Sequence, residues 1–321
     1  MFTNRTQIEP CINVTGECNI YISSTNISIN VIAIIINIIH IFILKTIPGL
    51  SKRNQFPILV SITLADILVA ITLAFNTSCL IHDILLSANN IVGSAVLVIG
   101  RESATLSRYL LLLLASLDRF YAVCKPFKYG TSTVVNNLGK ASLVMFIVSV
   151  VIPVVKFLAI LESLCLSNET GPVLFNGSTK IKALLSIISL SLMLLPAVAT
   201  AILLGNVGWQ LKKMKKRARF IGDEELKTAS KYIIGTCIMF YSIIIPHFFF
   251  KIMATAFKQW ASHVKPVASA FWICQSLYGI GNVFFYAYLH PSYVKRCKSI
   301  VRCQYNAVED ISCGSKPRSS H

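Results

Sequence analysis

The segment IVGSAVLVIGRESATLSRYLLLLLASLDRFYAV, Ile91–Val123, sets the problem this chain poses. Its flanks are apolar and its length exceeds the roughly 20 residues that cross a bilayer as a helix. Yet it carries Arg101, Glu102, Arg108, Asp118 and Arg119. At 100° per residue, the steps from Arg101 to Arg108 and from Arg108 to Arg119 fall within about 20° of whole turns. The three arginines therefore share one stripe, about 27 Å long at 1.5 Å per residue. Such a stripe in lipid must turn inward and find partners. One polar-striped helix implies a bundle around it.

Six further apolar stretches supply that bundle: Ile27–Leu44, Phe56–Leu80, Ala141–Leu161, Ile181–Leu203, Tyr232–Ala254 and Val267–Tyr288. Only 13% of the residues are charged, about half the usual share. That composition excludes an ordinary cytosolic enzyme, a disordered regulator and a secreted mini-protein. The fold expected is an all-α membrane protein, a seven-transmembrane helix bundle with a short amphipathic eighth helix. Its parts are an outer amino-terminal segment (1–26), the bundle (27–288) and a cytoplasmic tail (289–321). The first stretch follows about 26 residues with no basic leader, so it reads as a signal-anchor.

Roughly 20 of the 30 Lys and Arg residues fall on one side when the amino terminus is placed outside. This positive-inside bias sets the orientation. Glycosylation sequons at Asn4, Asn13, Asn26, Asn168 and Asn176 all fall on the opposite side. The net charge of +17 therefore faces anionic inner-leaflet lipid and cytoplasmic partners, and nucleic acid is not an expected partner. The ten cysteines include no CxxC pair, so no metal site and no cofactor is expected. The outer cysteines Cys11, Cys18, Cys79 and Cys165 allow three pairings among which sequence does not choose.

In order along the chain come Asn37; Asp66 in LADILVA; Asp118, Arg119 and Phe120 in SLDRFYAVCKPFKY; Pro196; Phe240 and Pro246 in FYSIIIPHFF; and Asn282 and Tyr286 in NVFFY. With these motifs the chain resembles the rhodopsin-like (class A) G-protein-coupled receptors over about Asn30 to Cys303. The DRF–KPFKY stretch adds distant odorant-receptor-like features. The resemblance implies that Asp118, Arg119, Asn282 and Tyr286 serve activation and G-protein coupling. There are departures. Val283 replaces the proline of the seventh-helix motif, Ile244 stands where a tryptophan is usual, and the outer end of the third helix lacks its cysteine.

Helical rise places Asp66 and Arg108 at one depth, about 16 Å above the inner surface. They read as a buried ion pair with bidentate geometry available, the guanidinium standing where the family holds sodium. The alternative is a protonated Asp66 with Arg108 on backbone carbonyls. In the outer half, Arg101, His247 and Lys251, with Trp272 and Gln275 on the opposite wall, outline a ligand cleft of positive sign. An anionic ligand such as a carboxylate or phosphate suits it. Neutralisation of these bases by Glu102 or Glu162 is the competing reading. Glu225 is a possible second partner of Arg119. In the tail, Cys297 and Cys303 are expected palmitoylation sites.

The expected activity is that of a plasma-membrane receptor, not an enzyme, since HExxH and G-x-S-x-G are absent. An extracellular ligand biases the bundle, and a heterotrimeric G protein reads it at the inner face. Two alternatives remain. One is a receptor-like membrane protein without G-protein signalling. The other is an anion transporter or channel, disfavoured because no inverted repeat is visible.

Overall fold

A backbone in hydrocarbon has no water to bond, so each apolar run closes its own hydrogen bonds as a helix. The computed structural model describes residues 15–50, 55–77, 91–165, 179–216, 224–256, 264–300 and 302. Among them are seven long helices: α1 (Thr15–Thr46), α2 (Phe56–Thr77), α3 (Ile91–Cys124), α4 (Leu138–Cys165), α5 (Thr179–Lys216), α6 (Glu224–Ala256) and α7 (Val264–Leu289). A further helix, α8, covers residues 291–300 after a break at His290. Single turns at Pro126–Tyr129 and Thr133–Asn136 connect α3 to α4. Several helices outrun their apolar stretches. α5 continues past Leu203 to Lys216, because a helix does not stop where the lipid does.

The burial pattern is inverted relative to a water-soluble protein. Ile32, Ile35 and Ile39 of α1 and Val144, Ile147 and Val151 of α4 are exposed, while Asn37, Asp66, Arg108 and Asn282 are buried. The outward face thus suits lipid, and the polar groups satisfy one another inside. α3 is the central rod, touching α2, α4, α5 and α6, while α7 closes the ring against α1, α2 and α6. Gly279 lets α7 approach closely. A Cβ there would sit 3.4 Å from Asp66 Cβ and 3.5 Å from Arg108 Nη2.

Among the described residues, five helices have a window long and apolar enough to cross a membrane by length and composition. They are α1, α2, α4, α5 and α6. The sequence reading gave that property to seven. α3 carries Arg101, Glu102, Arg108, Asp118 and Arg119, and α7 carries the polar Gln275, Ser276 and Asn282. Gln275, Ser276 and Asn282 are buried and bond Arg108, Asn30 and Asp66 on neighbouring helices.

Candidate functional site

The middle of the bundle is built around Arg108. Its Nε donates to Asp66 Oδ1 at 2.7 Å. Its Nη1 donates to Gln275 Oε1 at 2.6 Å and to the Gln275 carbonyl at 3.3 Å. The guanidinium also lies 5.1 Å from the centre of the Tyr278 ring. The fork is therefore split between α2 and α7, not bidentate on Asp66, because α7 presents two acceptor oxygens at the same height. The second Asp66 oxygen accepts from Asn282 Nδ2 at 3.1 Å. Asn282 Oδ1 in turn accepts from Tyr232 at 2.7 Å and from Thr236 at 3.2 Å, both on α6. One polar chain thus joins α3, α2, α7 and α6, and its members are buried.

Gln275, expected on the wall of the outer cleft, is 2% exposed and holds Arg108 as part of the central chain.

In the outer half, Glu102 is bonded through both oxygens to Lys156 of α4, at 2.7 and 2.9 Å. Arg101 is half-buried one residue away. The side chains of His247, Lys251, Trp272 and Glu162 lie outside the described residues, as do Asn4, Asn13, Asn168, Asn176, Cys303 and the outer cysteines Cys11, Cys79 and Cys165. The side chains of Cys18 and Glu225 are likewise not described. Asn26 is described and is not presented as a glycan acceptor. It sits within α1 at 3% exposure, and its Oδ1 accepts from Asn30 Nδ2 at 3.0 Å.

At the inner end, Arg119 is ion-paired to its neighbour Asp118, with Nε 2.9 Å from Oδ2 and Nη2 also in contact. Tyr129 donates to the other Asp118 oxygen at 3.0 Å. With its amide turned oxygen-first, Gln55 accepts from Arg119 Nη2 at 3.0 Å and from Nη1 at 3.2 Å. Burial, first, and then the Asp118 carboxylate push the Tyr129 hydroxyl up to about 12. Its raised value keeps it protonated, so the Tyr129–Asp118 bond holds throughout the physiological range. Deprotonation begins to cost stability only above the ordinary tyrosine value near 10, and the bond is lost as pH rises through about 12. Between pH 6 and 9, Tyr129→Phe is therefore expected to lower thermal stability by a constant amount. A pH-dependent difference over that range would refute the assignment.

Asp118, Arg119, Gln55 and Tyr129 line a cavity of about 790 Å³, together with Tyr232, Tyr286 and His290. Beside it, Phe127 is 98% exposed between the exposed Lys125 and Lys128. An apolar ring fully in solvent among bases is a contact feature the sequence reading passed over.

Two histidines were also passed over. The Tyr286 ring is stacked on His290 (centroids 4.1 Å apart, planes at 11°) and meets His40 of α1, Tyr232 of α6 and Tyr293 of α8 at 5.1–5.4 Å. His40 Nδ1 and the Tyr293 hydroxyl are 2.9 Å apart, tying α1 to α8. The available signal was local: Tyr286, His290 and Tyr293 fall three and four residues apart, on one helical face. The Cys297 thiol of α8 is half-buried and free of a disulfide, and burial raises its pKa.

Residues 36–285 match the family model for the 7 transmembrane receptor (rhodopsin family). No curated protein matches the chain. The match runs from within α1 to within α7, and the polar chain and the Asp118–Arg119 pair lie within it. The chain is thus a member of the rhodopsin family of seven-transmembrane receptors.

Proposed function

We propose that this receptor sits in the plasma membrane with its amino terminus outside and couples to a heterotrimeric G protein through the cavity around Arg119. The observation that carries the reading is that cavity. It holds a buried arginine with a local carboxylate, below a polar chain that runs through four helices. Arg119 is held by Asp118 in this packing, and displacement of that carboxylate frees the guanidinium for an acceptor on a partner. Phe127, flanked by Lys125 and Lys128, supplies an apolar contact at the rim. The basic inner face suits both anionic lipid and an acidic partner surface. Ligand acts only by its difference in affinity between two packings of the bundle.

The test is nucleotide exchange on purified G protein with the receptor in lipid nanodiscs. The receptor is expected to accelerate exchange over empty nanodiscs. Asp118→Asn is expected to raise ligand-independent exchange about threefold, a population shift of under 1 kcal/mol, because Arg119 loses the Asp118 carboxylate but keeps the Gln55 acceptor. Failure of every heterotrimer class to respond sinks the coupling reading.

The ligand class proposed is a small anion, held in the outer half by Arg101 with His247, Lys251 and Trp272. What supports it is the excess of cationic groups there, with Glu102 engaged by Lys156. A screen weighted to small acids and lysophospholipids is expected to yield agonists whose potency falls roughly tenfold in Arg101→Ala, the loss of one charged hydrogen bond. Equal potency in that variant removes the proposal.

A further inference from the structure

Tyr286 stands at the crossing of α1, α6, α7 and α8, and α7 reaches it as an unbroken helix through Val283 to Leu289. No proline stands between Val283 and Leu289 to bend the helix at this ring. The rings around it position it. His290, the one non-helical residue between α7 and α8, grips Tyr286 twice. Its ring lies parallel on the tyrosine ring, and its Nδ1–H donates to the Tyr286 carbonyl at 3.1 Å. The backbone N–H of His290 donates to that same carbonyl at 3.0 Å. His290 also meets the edge of Tyr232 at 6.1 Å. It therefore caps α7 and links its end to α6.

We propose that His290 is a positioning residue for Tyr286 whose hold is set by protonation of its imidazole on the cytoplasmic side. The idea rests on the reading of Tyr286 as part of the activation path. With Nδ1–H spent on the carbonyl, Nε2 is the atom that takes the second proton. The caged arrangement favours the resulting cation in two ways: the Tyr286 face and the carbonyl end of α7 both attract positive charge. The other groups around it are His40 of α1, Tyr293 of α8, and Asp118, Arg119 and Tyr129 across the cavity. His40, bonded to Tyr293, is the group that opposes the cation by charge repulsion, while Arg119 is paired with Asp118.

The sign follows. The caged state binds the proton more tightly than a state in which the imidazole leaves the ring and the carbonyl. Caging is therefore strongest at low pH and is lost as pH rises through the imidazole range, near 6.5 for an ordinary histidine. A one-unit difference between the two states limits the population shift to about tenfold.

The experiment is fluorine NMR of fluorotyrosine-labelled receptor in nanodiscs between pH 5.5 and 8.5, with the Tyr286 signal assigned by Tyr286→Phe. The expected result is a titrating Tyr286 shift in the native chain. It should vanish in His290→Phe, which retains the stack, and in His290→Asn, which retains an amide able to cap the helix. In His40→Asn it should persist with a displaced midpoint. A Tyr286 titration unchanged in either His290 variant, or absent from the native chain, overturns the proposal. Nucleotide exchange over the same pH range separates it from the activation reading. A titrating Tyr286 signal with pH-independent exchange keeps the cage and removes Tyr286 from the activation path.

Discussion

Asp66→Asn and Arg108→Gln are each expected to destabilise the bundle by about 3–5 kcal/mol, the cost of stranding one member of a buried ion pair. The double variant should lose far less than the sum. Each single change leaves a charge inside the protein facing a neutral amide. In Asp66→Asn the guanidinium keeps Gln275 but loses its only carboxylate partner among the described residues. In Arg108→Gln the Asp66 carboxylate keeps only the Asn282 amide. Changing both removes the two charges together and leaves four amides able to pair. Thermal unfolding of the four proteins in nanodiscs closes the cycle. Single variants within about 0.5 kcal/mol of the native chain would mean that the contact contributes nothing, as for surface pairs.

The second large effect is expected at Gly235. A Cβ there would fall 2.3 Å from both Cε1 and Cζ of Phe285 on α7, a distance no real packing tolerates. The phenylalanine ring is half-buried and lies near Tyr232, centroids 6.2 Å apart and planes at 24°, so either the ring or the helix has to shift. Gly235→Ala is therefore expected to strain the α6–α7 contact, at the roughly 1–3 kcal/mol typical of overpacking. That cost falls on this close packing and not on a packing with the inner half of α6 swung away. A 1.4 kcal/mol bias is tenfold in population, so basal nucleotide exchange is expected to rise about tenfold. Adding Phe285→Ala should restore it. Unchanged exchange together with unchanged stability in Gly235→Ala would show that this contact does not hold the inner end closed.

The membrane helices were legible because the bilayer imposes a length, and length with apolarity is what a hydropathy pattern records. The helix ends were not, since nothing apolar marks the continuation of α5 to Lys216. Asp66 and Arg108 share a depth by residue counting and lie 2.7 Å apart in the structure. Counting could not show the split fork, because Gln275 reaches Arg108 from a helix more than 160 positions away in the chain. His40 and His290 carried no hydropathy signal. Their roles come from rings meeting across four helices, a relation no one-dimensional pattern contains. The outer cleft rests on His247, Lys251 and Trp272, and it remains a reading of sequence.

The polarity of α3 and α7 bears on how the chain is made. Moving an arginine or aspartate to the centre of a lone spanning helix costs about 2.5–3.5 kcal/mol at the translocon. α3 emerges from the ribosome after α2, so Asp66 is already in place when Arg108 arrives. The acceptors on α7 come last. Newly synthesised α3 must therefore wait beside α2 until the seventh segment is threaded. Changes at these positions will first show as retention in the endoplasmic reticulum, before any question of signalling arises.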